Sequence, residues 1–186
     1  MTVAILRKQF TVTDYARMRE TGILAEDDRV ELIAGEVRQM SPIGPFHAAV
    51  VKRLNTLLNR ALDETMIVSV QDPIQLDDQS EPQPDLAILH YRDDYYAHAH
   101  PVADDVLLVI EVADSSADYD REEKMPRYAA ANIMEAWLID LAADRVEQYS
   151  QPRNGIYRLK QIIERGEVVQ SHVVSTITLQ IDRFFE

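Results

Sequence analysis

The run from Val106 to Val112 constrains the fold of this chain more than any other stretch. Six of its seven residues are apolar, which is typical of a strand buried on both faces of a sheet. Glu111 interrupts the run near its C-terminal end. An ionised carboxylate buried without a partner costs more free energy than its packing returns, so Glu111 must be paired, protonated, exposed at the strand end or bound to a cation. Binding to a cation would make it a functional residue.

The bulk composition predicts one folded domain. The chain has 186 residues, 46% of them hydrophobic, which is enough for a sizeable core, and we expect a single domain over residues 1–186. No run of 18 apolar residues occurs, no N-terminal secretory signal is recognisable and cysteine is absent from the sequence. We therefore expect a cytoplasmic protein that is not associated with a membrane.

Hydrophobic spacing predicts helices on both sides of a mostly β core. The predicted helices cover residues 11–22, 46–63 and 120–131, and a hairpin turn is predicted at 34–35. Pro126 should delay or kink the third helix. The predicted strands lie at 30–33, 36–40, 66–70, 73–76, 84–90, 106–112 and 136–140, with further strand within 144–150, 155–163 and 167–179. This alternation is typical of an α/β protein with a mixed central sheet.

The charge balance argues against a large phosphate-binding surface. Lys and Arg number 19 against 32 Asp and Glu, which gives a formal net charge of −13. Such a chain repels a polyanion unless the basic residues are gathered locally. A metal-dependent site is itself built of carboxylates, and a basic cleft can coexist with an acidic remainder. The composition therefore leaves a nucleic-acid substrate open.

The chemistry of Asp85, Glu111 and Lys124 fits together. Hydrolysis of a phosphodiester needs a cation to neutralise developing charge and activate a water molecule, and two convergent carboxylates can hold that cation. A nearby lysine can orient the water or stabilise the transition-state charge. Spacing alone leaves a bland alternative open, in which Asp85 caps a turn, Glu111 pairs with an arginine and Lys124 is a solvated helix residue.

Several blocks of the sequence carry a resemblance to a known family. They are Tyr15, Val30–Glu36, Ser41–His47, Pro84–Asp85, Val109–Ser116, Tyr119–Ala129 and Glu135–Asp140. Together they resemble the Uma-type endonuclease family of the PD-(D/E)XK restriction-endonuclease-like superfamily. The resemblance implies a restriction-endonuclease-like α/β fold, with an N-terminal hairpin and C-terminal β-strands added to a mixed sheet flanked by helices. It also implies a magnesium-dependent endonuclease that hydrolyses DNA.

The resemblance also implies a metal centre. Asp85 and Glu111 match the two acids that bind the metal, and Val112 would lend its backbone carbonyl. In the usual arrangement a lysine stands two residues after the second acid, where period-2 alternation puts both on one face. Here that position is Ala113, and Lys124 matches a lysine displaced to the following helix. Activity therefore requires the helix to bring Lys124 back to the strand.

Two further polar residues match recurrent positions of the family. Glu31 and His47 are expected to assist catalysis, although Glu31 could instead face solvent from a hairpin strand and His47 could satisfy a nearby carbonyl at a helix start. The implied cofactor is Mg²⁺, with Mn²⁺ as a substitute, and the implied partners are double-stranded DNA and a second copy of the chain. The alternative function is a catalytically inactive nuclease-fold module that binds nucleic acid or a protein.

Overall fold

A mixed six-stranded sheet forms the centre of the protein. The structure is a computed structural model that describes residues 7–25 and 27–186. The strands are β1 Val30–Ile33, β2 Glu36–Gln39, β3 Met66–Val70, β4 Leu86–His90, β5 Val106–Ala113, β6 Glu135–Asp140, β7 Arg145–Arg153, β8 Ile156–Glu164, β9 Val168–Gln170 and β10 Thr178–Gln180. Strands β3 to β8 lie in sequence order in the sheet, and all neighbours are antiparallel except β5 and β6. The predicted mixed sheet is confirmed.

Helices cover both faces of this sheet. They are α1 Val12–Glu20, α2 Pro45–Ala61, α3 Ala117–Tyr119, α4 Met125–Ala130 and α5 Asp182–Phe185, with a 3₁₀ turn at Ala103–Asp105 and a π-helical turn at Asp120–Lys124. The apolar stripe of α2 packs with α5 on one face, and α4 packs on the other. No helix in the described part of the chain is long and apolar enough to cross a membrane.

The N-terminal hairpin forms because its turn suits a tight connection. Ala34 and Gly35 have φ angles of 49° and 74°, the combination that a two-residue turn between twisted strands requires. A Cβ on Gly35 would lie 2.6 Å from the Cβ of Gln9, so only glycine fits there. Glu31 of β1 is buried, as are Leu32 and Ile33 after it. The solvent-facing alternative for Glu31 is therefore wrong.

Two local predictions need correction. Residues 73–76 do not form a regular strand, because Pro73 cannot donate a hydrogen bond and Gln71 adopts a φ of 56°. The segment makes an isolated bridge from Gln75 to Val102 and backbone hydrogen bonds from Ile74 to Pro82 and from Leu76 to Ser80. The third helix begins at Ala117, before the predicted start. The chain then widens into the π-helical turn just ahead of Pro126, whose ring lacks an N–H and would crowd an ordinary turn.

The C-terminal segment forms a small sheet beside the main one. Strands β9 and β10 pair antiparallel, and this segment is held by the fully buried Glu135 of β6. Glu135 accepts hydrogen bonds from Ser171 Oγ at 2.7 Å and from the backbone N–H of His172 at 2.8 Å. The predicted C-terminal β-strands are confirmed.

Candidate active site

A cavity of about 410 Å³ opens where the hairpin, the start of α2, the end of β5 and the π-helical turn meet. All six residues that were predicted to form the site line it, namely Glu31, His47, Asp85, Glu111, Val112 and Lys124. These residues come from five separate stretches of the chain. The fold therefore brings together every residue of the predicted centre.

Asp85 lies on the floor of the cavity, just before β4. The antiparallel register of β4 and β5 places it beside Glu111. Its Oδ2 accepts a hydrogen bond from the backbone N–H of Val112 at 2.9 Å and contacts His47 Nε2 at 3.1 Å, while Oδ1 accepts one from Gln71 Nε2 at 3.1 Å. Burial alone would raise the pKa of Asp85, but the His47 hydrogen bond and charge outweigh it and lower the pKa. Asp85 is thus held as a carboxylate.

Lys124 lies at the centre of a buried ionic cluster. Its Nζ is 3.2 Å from Glu111 Oε1 and 3.0 Å from Glu31 Oε2, and the three residues are 3–5% exposed. Tyr128 donates a hydrogen bond to the same Oε1 of Glu111 at 2.5 Å. The helix does bring Lys124 back to the strand end. Neither the arginine pairing of Glu111 nor a solvated Lys124 is found.

The π-helical turn explains how a lysine on a helix reaches this strand. The N–H of Met125 bonds the carbonyl of Asp120, five residues back, and the wider turn directs Asp120 and Lys124 towards the sheet, where both are buried. Turns of this kind are often found at functional sites. Ala113, which occupies the usual lysine position, is fully buried in the core.

The cluster contains more carboxylates than cations. Asp85, Glu111, Asp120 and Glu31 share the cavity with Lys124. Burial raises the pKa of Glu111 to about 8; Lys124 opposes this shift, and the nearby acids add to it. Burial likewise raises the pKa of Asp120. Burial would lower the pKa of Lys124, yet the surrounding carboxylates raise it, so its ammonium stays charged.

His47 lies on the first turn of α2 against Asp85. Burial alone would lower its pKa, but the hydrogen bond and charge of Asp85 and the carbonyl of Val112 raise it above the ordinary value. Its other ring nitrogen, Nδ1, is buried and has no hydrogen-bond partner among the described residues. The interpretation of His47 as a residue that merely satisfies a carbonyl is incomplete, because its ring also contacts a cavity carboxylate.

The donor atoms suit a hard divalent cation. The carbonyl of Ala113 accepts from Leu141 on the β6 side, and carbonyls alternate along a strand, so the Val112 carbonyl points to the side of Asp85. In residues 7–25 and 27–186, no three His, Cys, Asp or Glu side chains are grouped as a ready-made metal site. Mg²⁺ is commonly bound by one or two carboxylates with several waters. Asp85, Glu111 and the Val112 carbonyl therefore fit Mg²⁺.

Basic residues stand at the wall of this acidic cavity. Arg29 and Arg38 from the hairpin region line it. Arg29 donates a hydrogen bond to the Ser41 carbonyl at 3.0 Å, and Arg38 forms an ion pair with Glu36 at 2.6 Å. The cavity thus combines carboxylates that can bind a cation with guanidinium groups that can contact an anion.

Two contributors were not assigned to the site from sequence. Asp120 lines the cavity and accepts a hydrogen bond from Ser116 Oγ at 2.7 Å, and Tyr128 contacts Glu111 instead of serving as core packing alone. The available signal was their spacing, because residues 120, 124 and 128 recur every four positions and so share one helical face. The backbone partners of Asp85 have no comparable sequence signal.

A mixed sheet, with a cavity lined by acids and a lysine at the C-terminal end of β5, defines a protein of the restriction-endonuclease-like class, as predicted. A solved structure agrees: a crystal structure described as a "putative nuclease belonging to DUF820" from Anabaena variabilis superposes with a TM-score of 0.75, covering 95% of this chain and 97% of that chain at 16% sequence identity. At that identity the likeness shows the fold alone.

The family follows from the sequence itself. The model of the Uma2 family, described as "Putative restriction endonuclease", matches residues 12–182, and the chain belongs to this family. The predicted family is confirmed. A search of curated proteins gave no match.

Proposed function

We propose that this protein is an endonuclease that hydrolyses phosphodiester bonds of double-stranded DNA with Mg²⁺ as its cofactor. The observation that carries the proposal is the convergence of Asp85, Glu111 and Lys124 on one cavity from three separate stretches of chain. The family supports a nuclease. The guanidinium groups of Arg29 and Arg38 on the wall support an anionic substrate.

Asp85, Glu111 and the Val112 carbonyl would hold the metal. A bound Mg²⁺ would neutralise charge on the phosphate and lower the pKa of the attacking water. Asp85 suits this role because its pKa is lowered and it is already a carboxylate. Glu111, with a pKa of about 8, must lose a proton as the metal binds, so metal affinity should rise with pH up to that value.

Lys124 acts as the cationic group of the reaction. Its raised pKa keeps the ammonium protonated, so Nζ can donate hydrogen bonds to the attacking water and to a phosphate oxygen but cannot act as a base. Glu31 positions it through the 3.0 Å contact. Glu31 is in turn fixed by the backbone N–H of Gln83, which donates to its Oε2 at 3.2 Å.

His47 positions Asp85. The contact of 3.1 Å to Oδ2 and the N–H of Val112 on the same atom leave the orientation of the carboxylate little freedom. A preoriented ligand lowers the cost of assembling the reactive geometry. Replacing His47 by Gln should therefore weaken metal affinity more than it slows turnover at saturating metal.

The test is cleavage of supercoiled plasmid. The wild type should nick or linearise plasmid with Mg²⁺ or Mn²⁺, and EDTA or Asp85→Ala should abolish the activity. A matched control is Arg158→Gln, on an exposed residue of β8 remote from the cavity. Cleavage that survives both EDTA and Asp85→Ala would overturn the proposal.

One observation favours a second candidate, a catalytically inactive module. Lys124 already forms ion pairs with Glu111 and Glu31 without a metal, which is also what a purely structural cluster would show. This candidate predicts no nicking and no stabilisation by Mg²⁺. An active enzyme should show both nicking and stabilisation by Mg²⁺, because a metal that binds the folded state raises the melting temperature.

A homodimer is part of the proposal. The duplex has two strands, and the described part of the chain carries one set of Asp85, Glu111 and Lys124, so two copies would cut both strands. Light scattering should give a mass of two chains, and plasmid should be linearised without accumulation of nicked circles. A monomer that accumulates nicked circles would contradict the dimer and leave the hydrolytic centre intact.

A further inference from the structure

A second concave site lies between α2 and α5, apart from the catalytic cavity. It is a groove of about 350 Å³ whose walls carry Lys52, Arg53 and Arg60 from α2 and Arg183 from α5. Leu57 lies beneath these side chains, and Glu186 contributes the carboxylate of the lining. Four cations against one acid is the reverse of the balance of the chain, which has 19 basic and 32 acidic residues.

The cations of this groove are not used by the fold. Among residues 7–25 and 27–186, none of the four takes part in an ion pair. The basic residues next to Glu147 on the main sheet, by contrast, are all paired. Four like charges with one acid among them repel one another, and a bound anion would relieve that repulsion.

Arg53 supplies a second observation. The side chain is half-buried, and its Nη1 is fully buried without a hydrogen-bond partner in the described chain. A buried donor left without an acceptor costs free energy. Arg53 also lines the groove, and a planar guanidinium is well suited to the oxygens of a phosphate.

The position of the groove relates it to the catalytic cavity. Both lie along α2, since His47 on its first turn lines the cavity and residues 52–60 line the groove. At 1.5 Å rise per residue, the groove spans about 8–20 Å along the helix axis from His47. At 3.6 residues per turn, Lys52, Arg53 and Arg60 stand about 140–240° around the axis from His47, so the groove lies on the other side of α2 from the cavity.

We propose that the groove between α2 and α5 binds the sugar-phosphate backbone of the DNA duplex at a site separate from the catalytic cavity. The inference rests on the proposed function, because it takes the substrate from that proposal. It adds a contact surface that holds the duplex without reading its sequence, since phosphate contacts position a protein and do not specify bases.

The salt dependence of DNA binding tests the inference. Binding of a fluorescent 30-base-pair duplex is measured in EDTA at several salt concentrations, so that no cleavage occurs. Each lost phosphate contact should reduce the slope of log K against log salt by about 0.9. Lys52→Gln/Arg53→Gln/Arg60→Gln/Arg183→Gln should reduce the slope by up to about 3.6 and weaken binding at least tenfold.

Two matched variants separate charge at this site from net charge and from folding. Arg53→Lys/Arg60→Lys/Arg183→Lys keeps the charge and should keep the slope. A control with four exposed cations replaced elsewhere, Lys8→Gln/Arg17→Gln/Arg153→Gln/Arg158→Gln, should change the slope by less than half as much as the groove variant. Melting temperatures confirm that each variant is folded.

Each outcome decides one of the two proposals. If the wild type cuts plasmid but the groove variant binds DNA with an unchanged slope, or if the control variant loses as much as the groove variant, the groove inference is overturned and the catalytic proposal stands. If binding depends on the groove but the wild type never cuts DNA, the groove inference is supported and the catalytic proposal fails. If the wild type does not bind duplex DNA, the groove inference is overturned.

Discussion

Glu111 and Glu147 occupy the same row of the central sheet and have opposite electrostatic environments. Leu138 of β6 pairs with Glu111 on one side and with Glu147 on the other, which places the two acids about 10 Å apart across three strands. Both are buried. Each receives a cation from the same π-helical turn, Lys124 for Glu111 and Arg121 for Glu147. Strand position and burial therefore do not distinguish them.

The difference lies in the ratio of cations to acids. Glu147 contacts Arg121, Arg145 and Lys160 at 2.8–3.0 Å, and Tyr149 donates to it at 2.6 Å. Burial would raise its pKa, but the hydrogen bonds from Arg121 and Lys160 lower it to about 2.

Glu111 has the reverse balance. It shares a single ammonium with Glu31 while Asp85 and Asp120 stand nearby, and burial raises its pKa to about 8. The Glu147 cluster is a satisfied structural element. The Glu111 cluster keeps an excess of negative charge that a divalent cation would relieve.

The largest predicted effect separates the two cations of the turn by activity. Lys124→Met should lower the single-turnover cleavage rate by about 300-fold, the loss typical of removing one group that stabilises transition-state charge. Arg121→Met should stay within about tenfold of the wild type at a temperature where it is folded, because Arg121 contacts no cavity residue in the described chain. Equal losses of cleavage rate in the two variants would contradict the assignment of a catalytic role to Lys124 and a structural role to Arg121.

The next prediction separates the two acids by stability. Glu147→Gln should lower the free energy of unfolding at pH 7 by about 3 kcal/mol, because a pKa near 2 instead of 4.5 stabilises the folded state by about 1.4 kcal/mol per unit. Glu111→Gln should not lower it, because folding at pH 7 has to protonate a carboxyl whose pKa is raised to about 8, and glutamine removes that cost. Urea denaturation of both variants measures this, and a larger cost at Glu111 would contradict it.

Mg²⁺ should stabilise the protein by binding at the Glu111 cluster and should not bind at the Glu147 cluster. At a Mg²⁺ concentration of about 100 times Kd, the free energy of unfolding should rise by about 2.7 kcal/mol. Glu147→Gln should show the same increment from its lower starting point, while Asp85→Asn should show none. Thermal melts with and without Mg²⁺ provide the measurement. An increment that survives Asp85→Asn would place the metal elsewhere.

The pH dependence of stability should have opposite signs at the two acids. The lowered pKa of Glu147 gives a contribution present above about pH 4.5 and lost as the pH falls towards 2. The raised pKa of Glu111 gives a contribution to stability that is present below about pH 4.5 and is lost as the pH rises through 8.

The difference in unfolding free energy between wild type and Glu111→Gln should therefore change by up to about 1.4 kcal/mol per pH unit between pH 5 and 8. Over this range, the corresponding difference for Glu147→Gln should stay flat. A flat profile for Glu111 would mean that its carboxyl is not perturbed.

The local patterns that were predictable are those that short-range physics determines. The apolar run of β5, the stripe of α2 and the Ala34–Gly35 turn each follow from spacing or from a required φ, and all are found. Asp85, Glu111 and Lys124 were brought together by their resemblance to a family, since spacing alone left a bland alternative open. The structure then places them in one cavity.

What could not be predicted depends on tertiary contacts. The π-helical turn arises from Pro126 acting together with the packing of Asp120 and Lys124 under the cavity, and no periodicity reports it. Nor does any sequence pattern report the different electrostatic environments of Glu111 and Glu147. Their difference comes from how many cations other elements deliver, which is a property of the assembled fold.

The most direct measurement compares metal-dependent plasmid cleavage by Glu111→Gln and Glu147→Gln under conditions where both are folded. The two substitutions replace the same type of side chain in the same row of the sheet. With saturating Mg²⁺, Glu147→Gln should cleave within a few-fold of the wild type, and Glu111→Gln should lose about 10³-fold in rate because a metal ligand is gone. Wild-type cleavage by Glu111→Gln would contradict the assignment of the catalytic centre.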